Sequence, residues 1–293
     1  MKKIIFTAIL AVILTVVYSL TFTSCNKDSE VFNVSDATQS AYLCDSYIPN
    51  EDRFKSNVDI YSNIHPIVYT YKDTPLPEID FKRIEKKINK KFGKCNMYFT
   101  LSTPQYIEVR DSVISYRTDL NTEFRLGELR MSIYPKGIKF YEEGLGIIQG
   151  AANGIPSVEN PSLGKPIFFI RSEKMYTDIV SHELGHVYGL YHTFQGNDHD
   201  LKGLNCDTGD KIIDTVTPPE DLAIVISTCE PMSEAIEKYS KEEIQNFIQN
   251  PLSYSPDQCM GDFEKTQCDR MRKIVEVNLA LQAPVYKIEV HDN

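Results

Sequence analysis

Eleven consecutive residues, His182-Glu183-Leu184-Gly185-His186-Val187-Tyr188-Gly189-Leu190-Tyr191-His192, constrain this chain more than any other stretch. On a helix, His182 and His186 stand one turn apart and project from the same face, as two ligands of one tetrahedral zinc must. Glu183, one residue on, can reach a water on the metal without occupying a ligand position. Gly189 allows the positive φ that ends a helix and turns the chain back, so that His192 can arrive as a third ligand. Three neutral ligands leave a fourth position open, which marks a catalytic rather than a structural site. A lone pair of histidines at this spacing would more often be packed or solvated side chains. Five specified positions within eleven residues outweigh that reading.

The helix carrying these residues is expected from about Met175 to Tyr188, with Val180, Leu184 and Val187 on its inward face. Upstream, a β pattern begins at Val58 and is strongest from Ile64 to Tyr71. A helix from Phe81 to Phe92 follows, with Ile84, Ile88 and Phe92 spaced four apart on one face. Cys95 to Leu101 reads as a second strand, Ile107 to about Tyr134 as hairpins, and Pro166 to Ile170 as a short apolar strand. Residues 193–230 are rich in Gly, Asp, Asn and Pro and lack periodicity, which predicts a long irregular region ordered by ions or disulfides. Pro231 can open a short helix. Ser240 with Glu243 forms a capping-box pattern for a helix ending before Pro251, and a last helix runs from about Phe263 to Val277. Val285 to Val290 is strand-like.

The formal charge of −10 and the absence of a basic stripe argue against a nucleic-acid partner. At the N-terminus, Lys2 and Lys3 precede an apolar run from Ile4 to about Leu20 and then Phe22-Thr23-Ser24-Cys25, the arrangement of an export signal. Small residues before a cysteine resemble the lipobox of bacterial lipoproteins, in which Cys25 would be acylated and become the mature N-terminus. Removal of residues 1–24 leaves 29 basic against 41 acidic residues, a formal −12, so acyl chains rather than charge would hold the protein on a membrane. Residues 26 to about 56 are polar and read as a tether. Six further cysteines, Cys44, Cys95, Cys206, Cys229, Cys259 and Cys268, suit disulfides in an exported chain, with 15 possible connectivities.

The stretch HELGHVYGLYHTFQGN, in which Thr-Phe follows the third histidine, resembles the pappalysin branch of the metzincins. The likeness continues through Gly209-Asp210-Lys211-Ile212-Ile213-Asp214-Thr215, Asn250-Pro251-Leu252-Ser253-Tyr254-Ser255, Cys259, and Phe263 with Gln267-Cys268-Asp269-Arg270-Met271; a weaker likeness reaches back to about Ile64. With the N-terminal signal, the chain resembles bacterial zinc-dependent metalloproteinase lipoproteins. The resemblance implies an α+β fold: a mixed twisted sheet with backing and active-site helices, followed by a smaller irregular C-terminal subdomain. It divides the chain into a signal peptide (1–24), a lipidated tether (25–56), an N-terminal subdomain with the zinc helix (57–192) and a C-terminal subdomain (193–293).

Among site residues, the resemblance makes Tyr254 a donor to the tetrahedral intermediate, against the competing reading of a core tyrosine. Where the family places a methionine beneath the zinc, this chain has Leu252; Met232 lacks the following tyrosine. That methionine supplies an apolar floor without binding metal, so leucine can replace it at little cost. The oxygens around Asn197, Asp198, Asp200 and Asp214 suit calcium or turns, and the resemblance selects Asp210 and Thr215 as calcium contributors. His199 reads as a solvated loop residue. Cys206, Cys229, Cys259 and Cys268 are the disulfide candidates, and Cys44, whose neighbours do not match a cysteine switch, reads as a disulfide partner as well.

The expected activity is zinc-dependent hydrolysis of peptide bonds in extended polypeptides, with Glu183 as general base and Ile167 to Ile170 as the strand on which substrate pairs. The expected location is the outer membrane, with display on the cell surface suggested by Lys27-Asp28-Ser29-Glu30. The alternatives are a zinc-containing binding or adhesion lipoprotein without turnover, and a hydrolase of small amides.

Overall fold

The computed structural model describes residues 48–71, 78–109, 113–115, 127–135, 139–142, 146–147, 149–194, 229 and 240–290. Cys25, Cys44, Asp198, His199, Asp200, Cys206, Asp210, Asp214, Thr215 and Met232 lie outside them, as do the export signal, most of the tether, and the helix expected at Pro231.

The chain is built around one long strand, β1 (Val58–Tyr71). Helix α1 (Phe81–Phe92) follows. Asp80 caps it by accepting the Arg83 N–H, and Ile84, Ile88 and Phe92 are fully buried. Strands β2 (Met97–Leu101) and β3 (Gln105–Val109) both run parallel to β1. A small sheet combines β4 (Val113–Ser115), β6 (Lys139–Glu142) and β7 (Gly146–Ile147), while β5 (Leu129–Tyr134) joins β1 in parallel. Ile64 pairs with Leu101 on one side and Leu129 on the other, so β2 and β5 flank β1 on opposite edges.

Beyond β5 lie β9 (Ile167–Arg171), parallel to it, and β8 (Gly150–Ala152), antiparallel to β9. The expected hairpins between Ile107 and Tyr134 are therefore corrected: β3 and β5 pair in parallel with β1. Alternation records which side chains face a core and says nothing of strand direction. The strand read as the substrate edge is also corrected. β9 is paired on both sides, and β8 ends the row among the described residues.

Alternation along the strands divides two cores. Leu129, Met131, Ile133, Phe168 and Ile170 join the larger one, packed under α1, the zinc helix α2 (Ile179–Val187) and α4 (Lys265–Val277). Tyr69, Tyr134, Ile167 and Phe169 belong to a second cluster on the opposite face. Helix α3 (Lys241–Gln249) carries the expected capping box: Ser240 Oγ accepts the Glu243 N–H at 3.2 Å and Glu243 Oε2 accepts the Ser240 N–H at 2.9 Å. The short α5 (Leu279–Gln282) leads into β10 (Val285–Val290), which returns to pair antiparallel with β1. Thus the last of the described strands completes the sheet that the first of them began.

Helix α4 holds the start of the domain. Arg272 donates to the carbonyls of Phe54, Lys55, Val58, Cys95 and Asn96, and Glu276 accepts the N–H groups of Asn50 and Glu51. Phe54, in the stretch read as tether, is buried, because the polar composition around it conceals one anchoring aromatic. Disulfides Cys95–Cys268 and Cys229–Cys259 add covalent ties. All four are among the six cysteines that the sequence offers for disulfides, although the narrower set of four candidates omits Cys95, which α4's return to the N-terminal half brings to Cys268. No helix among the described residues is long and apolar enough to cross a membrane.

Candidate metal centre

Helix α2 packs against β8 and β9 and buries Val180, Leu184 and Val187 in the main core. It begins at Ile179, later than the expected Met175: residues 175–178 form turns that follow the 3-10 segment Ser172–Lys174. Its end follows from Gly189 at φ 84°: the Gly189 N–H reaches the His186 carbonyl at 2.9 Å and the Leu190 N–H the Gly185 carbonyl at 3.0 Å, a Schellman closure. No side chain could stand there, since an added methyl would meet Ile274 Cγ1 at 2.6 Å and the Pro156 carbonyl oxygen at 2.7 Å.

The turn returns His192 to the helix face. The Nε2 atoms of His182, His186 and His192 form a nearly equilateral triangle with sides of 3.1, 3.1 and 3.2 Å. His182 Nδ1 donates to the Pro251 carbonyl at 2.8 Å, and His186 Nδ1 to the Leu190 carbonyl at 2.6 Å. These carbonyls fix the proton on Nδ1 and aim the Nε2 lone pairs inward. Lone pairs converging at such distances repel unless a cation lies between them. Tetrahedral zinc with bonds of about 2.0–2.1 Å requires ligand separations of roughly 3.3–3.4 Å, so the donor set fits zinc with only a small expansion.

Burial favours the same state. All three rings are buried, which lowers His182 to about 4 and His186 to about 3 and holds His192 well below the usual imidazole range. Neighbouring imidazoles depress His186 and His192 further. The rings are thus neutral near pH 7, as metal ligands must be.

Glu183 is buried on the side of α2 that faces the edge strand: a methyl built onto Gly150 of β8 would lie 2.6 Å from Glu183 Oε1. Leu252 is fully buried in the main core, and a methyl on Gly185, between the two helix histidines, would sit 3.4 Å from Leu252 Cδ2. Together with the Pro251 carbonyl, this places the 251–252 segment against the helix beside the ligands. The Tyr254 ring lies 4.9 Å from His192 and 6.2 Å from His182 between centroids, half-buried against Phe194. Phe194 also stacks on His192 at 4.9 Å.

Sequence reasoning did not single out Gly150, the two carbonyls that orient the histidines, or Phe194. Phe194 had a signal, the Thr-Phe that follows His192. Backbone acceptors and a glycine's neighbours leave none.

Residues 167–276 match the family model described as pregnancy-associated plasma protein-A, a peptidase family. Among solved structures the chain is similar to mirolysin in complex with compound 9, at 15% identity over 77% of this chain and 96% of that one, with a TM-score of 0.51. It also matches archaemetzincin from Methanopyrus kandleri (11% identity, 74% and 96% covered, TM-score 0.37) and metalloproteinase-II from Bacteroides fragilis (16% identity, 51% of each covered, TM-score 0.29). No curated protein matches. The family match bears on chemistry, and the mirolysin likeness on fold.

Proposed function

We propose that this chain is a zinc endopeptidase of the pappalysin type, acting on extended polypeptides with Glu183 as the general base; the match of residues 167–276 to a peptidase family supports the reading. The observation that carries the reading is the triangle of inward-facing Nε2 atoms with Glu183 beside it, walled by the edge strand. His182, His186 and His192 would hold the zinc, which when bound supplies Lewis acidity that makes water nucleophilic near neutral pH and polarises a carbonyl.

The Glu183 carboxylate accepts a proton from the attacking water and returns it to the leaving amine. The Tyr254 hydroxyl donates a hydrogen bond to the developing oxyanion. With β9 paired on both sides, the edge available to a substrate strand is β8, where main-chain hydrogen bonds would align the peptide irrespective of most of its side chains. That geometry favours polypeptide over small amides, which cannot extend a sheet. In the same reading, acylation at Cys25 tethers the enzyme to the outer membrane through residues 26–47.

The test is proteomic identification of cleavage sites with the full mature chain and its Glu183→Ala variant. Wild-type cleavage within extended segments, with none by a variant of normal zinc content, supports the reading. Cleavage of small amides alone would replace the substrate assignment. Unchanged turnover by Glu183→Ala would remove the base, and zinc binding without any turnover would return the adhesion alternative.

A further inference from the structure

The edge strand reads Gly150-Ala151-Ala152, and its alternation sends Ala151 to the second core while position 150 faces α2. Glycine is a poor strand residue, and inside a strand it marks a bulge or a close approach. Its backbone gives no reason for it, since Gly150 is not among the glycines with positive φ. Space does. A methyl at this position would fall 2.6 Å from Glu183 Oε1, 2.9 Å from Glu183 Cγ and 2.8 Å from Ile179 Cγ2. All three distances are below carbon contact distance. Of the two Glu183 contacts the one to Cγ matters more, because moving a terminal oxygen aside does not relieve it. Glu183 would have to rotate from its root, inside a buried site, or β8 would have to withdraw from the helix.

We propose that Gly150 is a positioning residue for Glu183: its missing side chain is the space in which the carboxylate stands against the edge strand. The inference rests on the endopeptidase reading and adds to it how the base and the substrate register are joined. A strand added to β8 lies along the same backbone that Glu183 touches, so one close contact sets where along the substrate the proton acceptor sits. Any side chain at 150 separates the two.

The experiment is a double-mutant cycle on the full mature chain, pairing Gly150→Ala with Glu183→Ala. Thermal unfolding is read on the zinc-free protein, and zinc content and peptide-cleavage kinetics on the metal-loaded one. Gly150→Ala should lower kcat by about 10–100-fold with little change in KM and normal zinc content. In the zinc-free protein it should lower Tm, and that loss should be smaller when Glu183 is already alanine, because the Glu183 clash is then gone while the Ile179 contact remains. A Gly150→Ala chain that folds only when paired with Glu183→Ala supports the inference in the same way. Equal Tm losses in both backgrounds, failure to fold in both, or an unchanged kcat would overturn it. Absence of any cleavage by wild type would instead sink the endopeptidase reading, and the zinc-free stability cycle would still decide whether the contact exists.

Discussion

The two ends of the zinc helix are held by opposite means. At its start, the buried Asp178 carboxylate pairs with Lys87 Nζ at 2.9 Å and Lys91 Nζ at 3.3 Å. Lys91 also donates to the Met260 and Gly261 carbonyls, and Asp257 accepts the Asp178 N–H. At its end, where the ligands lie, the oriented contacts are neutral: the Pro251 and Leu190 carbonyls, the Leu252 side chain and the Phe194 ring. The difference follows from what each end must do. Either a carboxylate or a carbonyl can fix the tautomer of a ligating imidazole, but in the metal-free site a carboxylate also stabilises the imidazolium, whereas a carbonyl does so with less bias towards charge. Charge serves where the helix needs only to be clamped.

The strongest test of the neutral end removes a ligand. His186→Ala should drop zinc from about one per chain to none after dialysis and abolish cleavage, as should chelation of the wild type. Zinc retained at full occupancy would mean that the triangle is not the metal site.

Protonation attacks the same end without mutation. The folded-state pKa values of His182 (about 4) and His186 (about 3) lie below the unfolded value near 6.5, so their contribution to stability is complete above pH 6.5 and is lost as pH falls below it. Each histidine that takes up a proton only on unfolding contributes a slope of about 1.4 kcal/mol per pH unit. Denaturant titrations of the zinc-free chain between pH 7 and 4.5 should show stability falling with acidity, and His186→Ala should have a shallower slope. A flat profile over that window would show that the rings are not buried as neutral bases.

At the charged end the expected effect is smaller and different in kind. Asp178→Ala leaves the buried Lys91 ammonium with carbonyls alone and should cost about 3–5 kcal/mol in denaturant unfolding. Zinc content near pH 7 should remain normal. If Asp178→Ala instead loses zinc as His186→Ala does, the two ends are not separable and the comparison fails.

The sequence made the two ends unequally legible. The metal end announces itself, because ligands, base and turn lie within eleven contiguous residues whose spacing has few other uses. The helices were legible for related reasons: Phe81–Phe92 has apolar residues four apart, and Ser240 with Glu243 writes its own cap. The clamp is silent, since Lys87, Lys91, Asp178 and Asp257 come from three distant segments and each alone resembles a solvated charge. Strand order was equally hidden. Nothing in Ile167–Arg171 or Gly150–Ala152 says which is interior, because pairing is decided by backbone partners elsewhere in the chain. Cys95 is the same case, meeting Cys268 across 173 residues.

The smallest effect is expected at the floor, and it tests whether the neutral end depends on shape or on identity. Leu252 has no exposed surface and packs by Gly185, between the helix histidines, while the preceding carbonyl orients His182. Leu252→Met conserves apolarity and nearly conserves volume, so it should shift stability by under about 1.5 kcal/mol and leave zinc content and kcat/KM close to wild type. Leu252→Asp should damage both, because it buries a carboxylate in hydrocarbon. Tyr254→Phe separates floor from chemistry: the ring and its packing on His192 and Phe194 remain, while kcat should fall with KM little changed, as expected for a hydroxyl whose contact forms in the transition state. Zinc loss in Leu252→Met would show that the site requires something specific to leucine, and tolerance of Leu252→Asp would show that the segment is no floor at all.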